Sequence, residues 1–238
     1  MLNSTFRLLC YSATVTLLAG TATHGQQVRT HPVTGRQIAP VMGAGGADWL
    51  DRSEREREEQ PDKALRALNL RPGMFVGDVG AGTGFYTLRI AQQIAPTGRV
   101  FANDIQPAML TRLRRNAAAR SITNFETVLG TEADPRLPSG ALDLVLMVDV
   151  YHELSDPQRM LQNIRSSLKP DGKLVLLEFR KEDPRVPIRP EHEMSVAEAK
   201  SEICPEGYEF ERVLDTLPWQ HILFFRKARE GRGSLGVQ

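Results

Sequence analysis

The sequence predicts an α/β domain built on a doubly wound, mostly parallel sheet, and three observations carry that expectation. A glycine turn, Gly80-Ala81-Gly82-Thr83-Gly84, stands between an apolar run at 74–79 and an amphipathic stretch at 85–94, in the order strand, tight turn, helix. Residues 142–148 are almost unbroken apolar sequence, the pattern of a strand buried on both faces. Strand-like runs then alternate with helical stretches of about 10 to 15 residues, which makes βα repeats and not hairpins the natural reading.

Taken in order, residues 31–46 are rich in Pro, Gly and small side chains and read as an irregular lead-in that ends near Trp49. A charged helix is predicted over 53–68. Its Ala64, Leu65 and Leu68 form the apolar stripe, while Glu54 to Glu59, with Arg55 and Arg57, lie on the wet face. Pro72-Gly73 turns the chain into the first strand, and the glycine turn leads to the helix at 85–94. The second strand runs over 99–105, and Pro107 suits the first turn of a helix reaching about Ala119. A third strand at 125–129 precedes a loop at 130–138, and the fourth strand is 142–148. A helix at 157–168, a turn at Pro170-Asp171-Gly172 and a strand at 173–179 complete the fifth repeat. Beyond Phe179 come a Pro-rich loop, a short helix at 195–203 and two strands, 208–214 and 220–226, whose short Leu217-Pro218 connection lets them pair antiparallel.

Composition narrows the function. The 30 basic residues nearly cancel the 29 acidic ones, so a general attraction to nucleic acid is not indicated, and the basic group Arg112, Arg114, Arg115 and Arg120 reads as a solvated helix face. Two cysteines are too few for a zinc cage or a disulfide framework. At the start, Arg7 is the only charge before an apolar run at 8–22 that gives way to polar residues, the shape of a secretory signal peptide or membrane anchor over 1–25. The predicted organisation is therefore a leader at 1–25, a lead-in at 26–52, one domain at 53–228 and a flexible tail at 229–238. The leader implies an exported or membrane-anchored protein, and a cytoplasmic one if it is not used.

The glycine turn speaks to the ligand. A dinucleotide site needs G-x-G-x-x-G, but here the spacing is G-x-G-x-G, with Phe85 where the third glycine would stand. Asp78, two residues before the turn, favours a ligand bearing positive charge over a diphosphate. Asp104, at the end of the second strand and 20 residues past Gly84, is placed to accept hydrogen bonds from ribose hydroxyls. This set of an acidic residue followed by x-G-x-G-x-G resembles the first motif of class I S-adenosylmethionine-dependent methyltransferases, in their small-molecule, type 11-like branch. The resemblance covers about residues 53–228. It implies a Rossmann-like, mostly parallel seven-stranded sheet with an antiparallel C-terminal strand, and S-adenosyl-L-methionine as the cofactor.

It also implies a site. Asp78 and the turn (Gly80, Ala81, Gly82, Gly84) would hold the methionine part, Asp104 with Ile105 the nucleoside, Asp134 the adenine amino group, and Asp149 would border the cofactor. Asp134, just before Pro135, also reads simply as a turn-fixing residue. The fourth strand ends in Asp149-Val150-Tyr151-His152-Glu153, beyond the carboxyl edge where such sheets bind ligands. His152 is the candidate general base and Tyr151 a second catalytic candidate, with Glu153 as a lining residue. His152, His192 and His221 share no metal-ligand spacing, so no metal is expected. The expected partner is a small-molecule methyl acceptor, such as a quinone-pathway or other small hydrophobic compound, with membrane attachment through the N-terminal segment if that segment is an anchor. Two alternatives stand beside it: an exported binding protein that keeps the fold without turnover, and an NAD-dependent oxidoreductase, which would share Asp104 but lacks the third glycine.

Overall fold

A computed structural model describes residues 29–228. The predicted leader and C-terminal tail lie outside these residues. The chain enters through a strap over residues 29–42, tied by a bridge between Thr30 and Gln37, and reaches three short helices: α1 (Ala47–Leu50), α2 (Arg55–Glu59) and α3 (Pro61–Leu68). The single helix expected over 53–68 is thus broken. Pro61 offers no N–H and disfavours α geometry in the residue before it, and Gln60 turns left-handed at φ 48°.

The βα repeats follow as β1 (Phe75–Val79), α4 (Phe85–Ile94), β2 (Arg99–Asp104), α5 (Pro107–Ala119), β3 (Phe125–Leu129), β4 (Leu142–Val148), α6 (Pro157–Ser167) and β5 (Leu168–Arg180). The two-residue β6 (Glu193–Met194), α7 (Val196–Ile203), β7 (Tyr208–Leu214) and β8 (Gln220–Lys227) complete the chain. Helix starts carry local signals. Asp156 caps α6 ahead of Pro157, and Ser195 and Glu198 form a reciprocal capping box on α7. The strand expected at 173–179 begins earlier, because Pro170-Asp171-Gly172 loops out within β5, whose pairing to β4 jumps from Leu142↔Leu168 to Leu144↔Lys173.

The main sheet order is β3-β2-β1-β4-β5-β8-β7, with β6 added beside β5. Its pairs are parallel except β5–β8 and β8–β7, so the C-terminal strand reverses as expected. Side chains alternate across the sheet. Leu144, Leu146, Val175 and Leu177 pack with α3 and α4, while Val145, Met147, Leu174 and Leu176 pack with α6 and α7. From β1 the chain winds outward to β2 and β3, then returns on the other side as β4. That reversal opens a crevice at the carboxyl ends of β1 and β4.

The lead-in is fastened there by charge. Arg36 and Glu202 of α7 form a bidentate pair (Nε–Oε1 3.1 Å, Nη2–Oε2 3.0 Å), both buried, and Arg36 also donates to the His152 carbonyl at 3.2 Å. Thr34 donates its hydroxyl to the same carboxylate, and His31 Nε2 lies 3.4 Å from it without a well-aligned hydrogen bond.

Candidate active site

The crevice is a cleft of about 1150 Å³. Strap residues 37–42, α1, the glycine turn and the ends of β2 and β4 wall it, and His192 closes one corner. Asp78, Gly80, Ala81, Gly82, Asp104, Ile105, Asp149 and His152 all line it. Gly80 sits at φ 73° with the Val150 side chain where a Cβ would stand, so the turn can only pass this point as glycine.

Three predicted residues are elsewhere. Gly84 faces α5, where a Cβ would meet Leu113 at 2.8 Å, so its role is packing. Asp134 turns its carboxylate to the Arg136 N–H at 2.7 Å and fixes the loop; Thr131 and Glu132 reach the cleft instead. Tyr151 is fully buried in the core on the α7 side, with its ring 5.9 Å from the Arg36 guanidinium. The cause is backbone geometry: Asp149 turns left-handed at φ 52° and a short 3₁₀ turn over Tyr151–Glu153 sends Tyr151 inward and His152 toward the cleft.

The wall is acidic. Asp78, Asp104, Glu132, Asp149 and Glu153 face three arginines, Arg29, Arg55 and Arg189. Asp104 accepts from the Gly82 N–H at 3.0 Å and the Gln106 N–H at 2.8 Å, while burial pushes its carboxyl up. Burial likewise raises Asp78 to about 6, against the opposing hydroxyl bond from Thr87 at 2.5 Å. Asp149 is held by the Gln220 amide at 2.7 Å, but its other oxygen has no hydrogen-bond partner among the described residues. Burial, then Glu59 and Glu178, push its carboxyl well above the usual range. Arg55 and Glu59, expected on the wet face, are instead buried as an ion pair at 2.6 Å, with Arg55 stacked 4.0 Å over Phe85. Arg55 also donates to the Leu50 carbonyl of α1 at 3.1 Å, a contact that nothing local in its sequence announces.

A chain of imidazoles occupies the acceptor-side corner. His152 Nδ1 lies 2.6 Å from Glu178, a carboxylate with no exposure that also accepts the Tyr151 N–H at 2.8 Å. His152 Nε2 lies 3.0 Å from His192 Nδ1, and Arg189 donates to His192 Nε2 at 3.2 Å. One proton placement satisfies every contact: His192 Nδ1–H donates to His152 Nε2, and His152 Nδ1–H donates to Glu178. Burial, then the neighbouring His152 and Arg189, lower the His192 pKa. Glu153 stands beside them, raised to about 7 by burial and, less, by Glu178, with His152 opposing. Glu178 was missed in the sequence although it carried a signal: a carboxylate inside the apolar run of β5 must have a partner to be buried there. His221 is fully buried in β8 and takes no part in the cleft.

These features test the cofactor. An unpartnered, buried Asp149 oxygen and an acid-lined glycine turn suit a ligand with an ammonium and a sulfonium, and would repel a diphosphate. The residues present fit S-adenosyl-L-methionine.

Comparison with known proteins agrees. A family profile described as a methyltransferase domain matches residues 78–174. The chain is 37% identical over 114 residues to a demethylmenaquinone methyltransferase of Symbiobacterium thermophilum (48% of this chain, 45% of that protein). It is 32% identical over 117 residues to the ubiquinone/menaquinone biosynthesis C-methyltransferase UbiE of Cupriavidus metallidurans (49% of this chain, 48% of that protein). The chain thus spans about half the length of these relatives. Among solved structures, a SAM-dependent methyltransferase from Aquifex aeolicus superposes with a TM-score of 0.74 at 26% identity, covering 79% of this chain and 100% of that one. A type 11 methyltransferase fold from Sulfolobus solfataricus gives 0.60 at 19% identity, covering 76% and 97%, and speaks to the fold alone. Residues 78–174 thus match a methyltransferase domain, and together these findings support a class I S-adenosylmethionine-dependent methyltransferase with S-adenosyl-L-methionine as its cofactor.

Proposed function

We propose that this protein transfers a methyl group to a small, largely apolar acceptor that must lose a proton as it is methylated. The observation that carries the reading is one cleft joining the acid-lined glycine turn to the buried His152–Glu178 pair. The relatives, methyltransferases of demethylmenaquinone and of ubiquinone/menaquinone biosynthesis, support a small-molecule acceptor. So does the cleft rim, where Val41, Met42 and Trp49 stand exposed.

S-adenosyl-L-methionine, when bound, supplies an electrophilic methyl group on a sulfonium. Asp104 would take the ribose hydroxyls, and Ile105 would pack on the nucleoside. Glu132 replaces Asp134 as the polar group near the adenine. Asp78, Asp149 and the turn backbone from Gly80 to Gly82 would hold the amino-acid end. On the acceptor side, His152 Nε2 takes the proton once His192 yields its place. Glu178 fixes the tautomer and stabilises the imidazolium, the usual work of a carboxylate behind a histidine base. The strap and α1 line the cleft and would limit access of water to a bound methyl donor.

The test is a thermal shift with S-adenosyl-L-methionine or its demethylated product. At about 100 times Kd, binding should add about 2.7 kcal/mol, or about 5–10 °C in Tm for a domain of this size. Asp104→Ala should abolish the shift. A flat response from the unmutated protein would overturn the reading.

A further inference from the structure

We infer that His152, Glu153 and His192 form a site for a divalent transition-metal ion at the acceptor end of the cleft. Among the described residues they are the group whose imidazole and carboxylate atoms could share an ion, each offering one donor within 4.8 Å of the others. Sequence spacing concealed it, because His192 lies 40 residues from His152 and arrives on a separate 3₁₀ turn, Pro190–His192.

The geometry suits an ion in several independent ways. His152 Nε2 and His192 Nδ1 are 3.0 Å apart. Two nitrogens bound at about 2.1 Å and at a right angle are separated by about 3.0 Å, so the pair already has the spacing of neighbouring ligands. A Glu153 oxygen lies 4.0 Å from His152 Nε2 and needs only a side-chain rotation to close the third position. Behind His152, Glu178 accepts from Nδ1 at 2.6 Å, the carboxylate–histidine support that fixes a metal-binding imidazole and aims its other nitrogen. All three donors line the cleft, so the remaining coordination positions face the space an acceptor would fill. Two histidines and one carboxylate with open positions is a ligand set of Fe(II), Zn(II) and their first-row neighbours.

Loading has a stated cost in hydrogen bonds. The bond between the imidazoles is replaced by two metal–nitrogen bonds, and the His192 proton moves from Nδ1 to Nε2. That nitrogen can then no longer accept from Arg189, whose exposed side chain keeps its ion pair with Glu191 at 3.3 Å. No net proton need be gained or lost by His192.

The effect on chemistry rests on the methyl-transfer reading; the site itself does not. In the loaded protein His152 is a ligand and not the base. An acceptor hydroxyl bound to the ion would pass its proton to solvent water at the cleft mouth, because the ion stabilises the resulting oxyanion. The matching acceptor class is therefore an enol, phenol or vicinal diol whose oxygen can enter the open positions.

The experiment uses the full chain, stripped with chelator and titrated with Co(II), followed by visible absorption and calorimetry. The expected result is a saturable spectrum of one ion per chain, abolished by His192→Ala and by Glu153→Gln and displaced by Zn(II). Glu178→Gln should weaken binding about 10- to 100-fold, as loss of a supporting hydrogen bond does. Absence of saturable binding, or binding unchanged in both ligand variants, overturns the proposal. Each sample is also tested for its thermal shift with demethylated cofactor. A retained shift shows that the variants fold, and it separates failure of the metal site from failure of the methyltransferase reading.

Discussion

The strap that roofs the cleft hangs on one buried ion pair, and Arg36→Met is the perturbation that isolates it. The substitution keeps the aliphatic length but leaves Glu202, which has no solvent exposure, without its guanidinium partner and beside only the neutral groups of Thr34, His31 and Tyr151. Removing one partner of a buried pair costs about 3–5 kcal/mol, because a carboxylate remains desolvated without its cation. Strap residues are few and contribute little to the sheet, so the loss should appear as local opening and not as collapse of the domain. The amides to watch are Ile38, which donates to the Arg29 carbonyl at 2.9 Å, and Ala39, which donates to the His152 carbonyl at 3.0 Å. Native-state hydrogen exchange should show their protection falling by about two to four orders of magnitude, with the β4 and β5 amides unchanged. The double variant Arg36→Met/Glu202→Leu removes both charges and should recover most of the protection. Acidification should shrink the defect of the single variant. His31, whose pKa is lowered by burial and secondarily by Arg36, regains the capacity to protonate beside Glu202 once Arg36 is gone. Protection at Ile38 and Ala39 within threefold of the unmutated protein would refute the claim that this pair holds the roof.

Two further outcomes are expected. Cofactor affinity should rise with pH through about 6, since burial lifts Asp78 there and a cationic ligand needs its ionised form; calorimetry should find binding about 10-fold weaker at pH 5 than at pH 7, and a flat profile would remove Asp78 from the site. Gly80→Ala should cost more than Gly140→Ala, although both residues have positive φ (73° and 62°), because a Cβ at Gly80 strikes Val150 while one at Gly140 meets nothing within 4 Å. Backbone strain of about 1–2 kcal/mol is common to both, and overpacking adds about 1–3 kcal/mol at Gly80 alone, so chemical denaturation should separate them and equal losses would sink the steric argument.

The sheet was legible because its signals are local. The unbroken apolar β4, the glycine turn and Asp104 each state their place within a few residues. Pro61 carried a local signal that the single helix expected over 53–68 passed over, since a proline after a charged run ends a helix by its own chemistry. What escaped is what the fold brings together over distance. Arg55 and Glu59 look solvated until α1 and Phe85 meet the Arg55 guanidinium, and His192 meets His152 only through the loop that follows β5. Tyr151 and His152 are adjacent in sequence and point to opposite sides of the wall, a choice made by the left-handed backbone at Asp149. Asp134 is kept out of the cleft for the same kind of reason, a side chain consumed by its own turn.

The acidic wall has a consequence for turnover. Asp78 and Glu153 have carboxyls raised to about 6 and about 7, close to neutral pH, and burial pushes the Asp149 carboxyl up as well. Under the proposed reaction the occupant changes its own charge: a sulfonium enters and a neutral thioether remains. Acids of this kind give up protons to match an arriving cation and take them back when it is discharged. The cleft thereby buffers charge, gripping the donor electrostatically without having to hold a fixed excess of negative charge around the spent product.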